Sequence, residues 1–236
     1  VSSLVGPVGQ RARTALLVSV AATAAIYLSP VAPYLGWPLV LLSTLAHEGG
    51  HGLAALLVGG EFHSLMIYAD ASGVASSAYS GRVASALVSA GGLVGPALVA
   101  AACFAVGRHA GRSKLALGLA GGALFAFDVL FVRNLFGFGF VAALGAACLA
   151  LSRKASVETN RTALLFVGVQ MALSVFSRAD YLFTELAQTG AGAMPSDTAR
   201  MAEALWLPYW FWGAACGAFS LLVLALGLRP YVRRRR

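Results

Sequence analysis

Charge is what this chain of 236 residues has least of. Lys, Arg, Asp and Glu together supply 11% of it and hydrophobic residues 59%, against about 25% charged in an ordinary soluble domain. That balance excludes a water-soluble globular class and points to a polytopic membrane protein. Acidic residues are scarcest, nine in all, so any carboxylate inside an apolar run stands out. Cysteine is nearly absent: Cys103, Cys148 and Cys216 each sit in a different apolar run, with no CxxC pair and no thiol near a histidine. This excludes a disulfide framework and a thiolate metal site, and the three read as small core residues. No internal repeat and no row of paired charges is present, as a transporter built from repeats would show.

What is there is mostly membrane helix. Crossing about 30 Å of hydrocarbon takes about 20 apolar residues, and such runs fall near residues 14–35, 38–58, 83–107, 115–132, 134–152, 162–178 and 206–228. The expectation is an all-α polytopic membrane protein, one integral membrane domain over residues 1–236 with about six to seven transmembrane helices. The first run follows Gly6, Pro7, Arg11 and Arg13; with no clear small-residue cleavage pattern after it, it reads as a helix and not a signal peptide. Pro30, Pro33 and Pro38 are expected to break the first helix from the second.

The net charge of +8 does not point to nucleic acid, because the basic residues are spread as loop anchors. Arg108, Arg112 and Lys114 follow the third run, Arg153, Lys154 and Arg161 the fifth, and Arg229 with Arg233, Arg234, Arg235 and Arg236 the last. Seven alternating spans would put these clusters on one face, cytoplasmic by the positive-inside rule, and the amino terminus outside.

The second run carries His47-Glu48-Gly49-Gly50-His51, an HExxH sequence. On a helix the i, i+4 spacing puts both imidazoles on one face, where they can grip one Zn²⁺ at about 2.0–2.1 Å while Glu48 reaches a water beside it. Ionisable groups at membrane depth cost a few kcal/mol each. Three together argue for a metal centre over two histidines bonded between helices.

Gly59-Gly60 should stop this helix. Glu61 to Tyr68 then reads as a strand, Asp70 to Gly73 as a turn and Val74 to Tyr79 as the returning strand of a small membrane-associated β-hairpin. A strand edge beside the metal helix could hold an extended substrate. His63 reads as an interfacial histidine on that hairpin rather than a ligand. Gly91, Gly92 and Gly95 read as packing residues that permit close helix approach, with the metal helix as one possible neighbour. Residues 179–205 form the longest polar segment: a flexible loop at residues 190–195, then a short helix opened by Ser196-Asp197. Asn134 reads as a cap between two spans, with an oxyanion hydrogen bond as its alternative role.

A catalytic zinc needs a third protein ligand and an open position. The HExxHxxGxxH extension is absent, since residue 57 is Leu57. Asp128 leads on membrane depth; Asp180 and Asp197 lie in the long polar segment, where Asp197 also suits a helix first turn. Spacing does not choose among the three.

The helix Ala46-His47-Glu48-Gly49-Gly50-His51-Gly52 with its following hairpin resembles the site-2 protease family of intramembrane zinc metallopeptidases. It is most similar to a compact branch, in bacteria, plants and fungi, that lacks a PDZ module. The Asn-Pro-Asp-Gly and Leu-Asp-Gly elements of better-known members are missing here. Ser196-Asp197-Thr198 resembles the Ser-Asp element that precedes the last helix in the compact branch, which implies His47, His51 and Asp197 as zinc ligands and Glu48 as the catalytic general base.

The resemblance implies a metalloendopeptidase that cuts a membrane-protein substrate in or near its transmembrane segment, within the lipid bilayer of the bacterial inner membrane. A non-proteolytic scaffold or regulator that keeps the metal helix as a binding site is the alternative.

Overall fold

Backbone amides have no water to bond within hydrocarbon, so apolar runs close their hydrogen bonds internally as helices. The computed structural model describes residues 8–177 and 179–232. In chain order these form α1 (Gln10–Leu28), α2 (Ala32–Leu57), β1 (Glu61–Ile67), β2 (Gly73–Ala78), α3 (Arg82–Gly107), α4 (Ala110–Phe131), α5 (Leu135–Lys154) and α6 (Val157–Ser177). A 3-10 turn (Ala179–Phe183), β3 (Leu186–Thr189), β4 (Gly192–Pro195), α7 (Asp197–Leu205) and α8 (Tyr209–Val232) follow. Gly6 and Pro7, noted above before the first run, and Arg233 to Arg236, read above as anchors, lie outside the described residues.

Among the described residues six helices are long and apolar enough to cross a membrane: α1, α3, α4, α5, α6 and α8. The metal helix α2 is 26 residues long but is not among the six. Its His47, Glu48 and His51 lower its apolarity.

Seven alternating spans are not what the packing shows. The Val8 amide donates to Pro230 O at 3.3 Å, and the Tyr231 hydroxyl donates to Phe104 O at 2.8 Å. The start of α1 and the ends of α3 and α8 therefore meet. Three complete crossings by α1, α2 and α3 would have separated them, so α2 does not add a crossing of its own. Arg11 and Arg13 come to the same end as Arg108 and Arg229, and the expected opposite placement of the amino terminus is corrected. One buried cluster, including Ala12, Ala100, Phe104, Leu165 and Tyr231, ties α1, α3, α6 and α8 at that end.

The break between the first two helices is shorter than the prolines suggest. Pro33 sits in the first turn of α2, where a missing N–H leaves nothing unpaired. Pro38 lies inside the helix and removes one bond without ending it. At the other end Gly59 adopts φ of +80°, the left-handed conformation that closes a helix.

The hairpin forms as expected, antiparallel with a register shift between Phe62 and Ser64. It is laid along α2: Phe62, Leu65 and Ile67 pack with Leu41 and Leu45, and the Thr44 hydroxyl donates to Ala71 O at 2.6 Å. A second antiparallel hairpin, β3–β4, is present in the long polar segment, its turn and β4 falling on the residues 190–195 expected to be a loop.

Candidate metal centre

The metal helix is held by α3 through small residues. A Cβ built on Gly95 would lie 2.6 Å from Ala46 O and one on Gly91 2.5 Å from Ala54 Cβ. Side chains there would push the two helices apart, so the glycines bring α3 against the HExxH turn. Close approach then fixes a tautomer. His51 Nδ1–H donates to Val88 O at 2.8 Å, which leaves the Nε2 lone pair of the neutral ring facing inward, as backbone carbonyls do for metal-bound histidines.

Asp197 reaches the same point from α7. Ser196, not Asp197, caps this helix: its Oγ accepts from Ala199 N at 3.1 Å and donates to Thr184 O at 2.6 Å. The carboxylate is thereby free to turn inward, where it is 7% exposed. Its Oδ2 lies 3.1 Å from His47 Nε2 and 3.4 Å from His51 Nε2, and the two Nε2 atoms are 3.2 Å apart. Ligands bound to zinc at about 2.0–2.1 Å in a tetrahedron stand about 3.3 Å from one another. The three atoms thus present a tripod of the size zinc requires.

Glu48, 7% exposed, lies beside the tripod under the first residue of β2. A Cβ on Gly73 would stand 2.7 Å from Glu48 Cγ, so the strand backbone passes directly over the acid. Two cavities meet here, of about 400 Å³ and about 130 Å³, and both reach His47 and Glu48.

Asp128 and His63 fall elsewhere. Asp128 is 1% exposed on α4 with neither oxygen hydrogen-bonded, and among the described residues the metal-capable group is His47, His51 and Asp197. The Asp180 side chain lies outside the described residues. His63 keeps half its side chain exposed, 3.8 Å from Glu61, on β1 as expected.

Asn134 stands at the N-cap position of α5, between the two spans as expected, but its side chain does not cap the helix. Its amide is committed to the hairpin, accepting from Ile67 N at 3.1 Å and donating to Ile67 O at 2.6 Å. Sequence reasoning missed Tyr181. Its hydroxyl donates to Asp197 Oδ2 at 3.4 Å and its ring meets His47 edge-on, but an aromatic in a polar connecting segment carries no signal of either.

A family model, Peptidase M50B-like, matches residues 17–227, which span every residue of the site. No curated protein and no solved structure gives a match. The family match covers nearly the whole chain and agrees with its membrane helices and its His, His, Asp group: the chain belongs to the Peptidase M50B-like family, a site-2 protease family, and is a membrane metalloprotease.

Proposed function

We propose that the protein hydrolyses a peptide bond in or near a transmembrane segment of a membrane-protein substrate, with Zn²⁺ held by His47, His51 and Asp197. The observation that carries this is the tripod, whose 3.1, 3.2 and 3.4 Å separations match the edges of a tetrahedral zinc site. His51 supplies a second argument. With its Nδ1 proton given to Val88 O, its Nε2 faces another imidazole nitrogen and a carboxylate oxygen, an arrangement of lone pairs that a cation relieves.

Zinc in this place would acidify a water and polarise the scissile carbonyl. Glu48 takes the proton of the attacking water and passes it to the leaving amine, as a buried general base within reach of the reacting atoms can. The β2 backbone over Glu48 offers N–H and C=O groups to an extended substrate. A substrate helix must unwind to be cut, and a strand edge replaces the backbone bonds it gives up. The bilayer of the bacterial inner membrane is the setting this reading assigns.

The test uses detergent-purified protein in zinc-replete buffer. We expect about one zinc per chain, lost in His47→Ala and Asp197→Ala and kept in Glu48→Gln, which should lose cleavage of a single-pass membrane substrate. A Glu48→Gln variant that cuts at the wild-type rate would refute the protease mechanism and favour a non-proteolytic metal scaffold.

A further inference from the structure

The two cavities that meet at the centre differ threefold in volume, about 400 Å³ against about 130 Å³. The narrow one is the space at the tripod itself, lined by His47, Glu48, His51 and Asp197, and it is bounded beyond them by Gly73, Ala75 and Ser77 of β2, by Met194 and Pro195 of β4, and by α3 at Val88. The wide one opens between α2, α3, α6 and the 3-10 turn, past Thr44, Pro96, Ser174 and Leu182. Ala187 and Thr189 of β3 border both.

Two free strand edges flank this space. Among the described residues β2 pairs with β1 alone and β3 with β4 alone, so each keeps one edge for another strand. The hairpins are joined at their tips. Gly190 N–H donates to Ser72 Oγ at 2.8 Å, and Ser72 Oγ donates to Asp70 Oδ1 at 2.7 Å. A Cβ on Gly190 would lie 2.5 Å from the Tyr68 ring, so the tip is seated without slack and the spacing between the hairpins is set.

We infer that β2 and the β3–β4 hairpin are the walls of a size-graded substrate slot. It takes an extended segment with a small residue, Gly, Ala or Ser, on one side of the scissile bond and a bulky apolar residue on the other. The volumes decide this. A cavity of about 150 Å³ holds one benzene, so the narrow side has room for an extended backbone with a methyl or hydroxymethyl group but not for backbone plus Leu or Phe. The wide side falls within the range of about 300–1,000 Å³ of pockets that enclose larger groups. The ungated step is backbone recognition by the strand edges; the size filter is added by Ala75, Ser77 and Met194. This inference rests on the protease reading above.

The experiment maps the bonds cut in casein, an unfolded chain, by mass spectrometry with zinc-loaded wild type and with Glu48→Gln as the blank. One position beside the cut should favour small over bulky residues by about tenfold or more, the discrimination a fitted pocket achieves per added methylene or two. Met194→Ala should admit Val and Leu at that position, and Ser77→Val should narrow it toward Gly. Glu48-dependent cleavage with no size preference on either side overturns the slot and leaves the protease reading standing. An absence of Glu48-dependent cleavage overturns both. If either variant fails to fold, the wild-type profile decides alone.

Discussion

Gly92 sits against His51 so closely that a Cβ added to it would fall inside the contact distance of the imidazole. The ring is clamped on its other nitrogen by Val88 O at 2.8 Å, so it cannot yield without losing that bond. Gly92→Ala should therefore tilt Nε2 away from Asp197 and weaken zinc binding by about 10–100-fold, the usual cost of disturbing the support of a ligand. Competition with a chelator measures this, and wild-type affinity in the variant would show that the ring is not held as described.

Asp197 and Asp128 separate cleanly. Asp197→Ala removes one leg of the tripod. Asp128 is buried with no hydrogen bond to either oxygen, so Asp128→Leu should keep zinc and raise stability by about 1–3 kcal/mol, the desolvation cost of an unsatisfied polar group. Zinc content and thermal unfolding of the two variants side by side give the answer; loss of zinc with Asp128→Leu would contradict it.

Asn134 pins the hairpin through both hydrogen bonds to Ile67, beside the bridge between Leu65 and Val132. Asn134→Ala leaves those buried groups of β1 unpaired, a loss of about 1–3 kcal/mol. Because the hairpin carries β2 over Glu48, KM should rise more than kcat falls. An unchanged KM with a collapsed kcat would instead mark Asn134 as a group that touches the reacting atoms.

Much of this architecture could be read from residues alone, and the exceptions have physical causes. The apolar runs located the helices, and Gly59-Gly60 and Asp70 to Gly73 located the first hairpin, because those signals are local. Ser196 was legible as a helix start for the same reason. The β3–β4 hairpin was not: strands of four residues around Glu185, Gln188 and two glycines have no periodicity, and their order comes from the tip seated on Tyr68 and Ser72. Placement of Asp197 beside His47 is also beyond local pattern, since it depends on how α7 packs against α3. The bonds of the Asn134 side chain to the hairpin were not legible because their partner lies on a strand 67 positions away.

The joined tips make a prediction of their own. Ser72→Ala removes the acceptor of the Gly190 amide and the link to Asp70. Hydrogen exchange across residues 186–195 should quicken by about tenfold, as expected for loss of a bond of about 1–1.5 kcal/mol, while α7 keeps its protection through the Ser196 cap. Exchange as slow as wild type would mean that the hairpin is held from its base.

Acid should strip the centre. Zinc binds deprotonated ligands, so affinity falls as pH falls and protons compete for His47, His51 and Asp197. Zinc retention measured across a pH series should drop monotonically toward acid, and should do so at higher pH in Ser196→Ala, where the cap that aims Asp197 is lost.

The distance along the chain between the histidines on α2 and the carboxylate on α7 has a consequence for biosynthesis. A nascent chain inserts its HExxH helix early, while the acid that completes the tripod emerges only after six intervening elements of membrane helix and hairpin have been made. Until then the two imidazoles face an incomplete site. The tripod therefore cannot be complete until α7 has been made, with α8 alone still to follow.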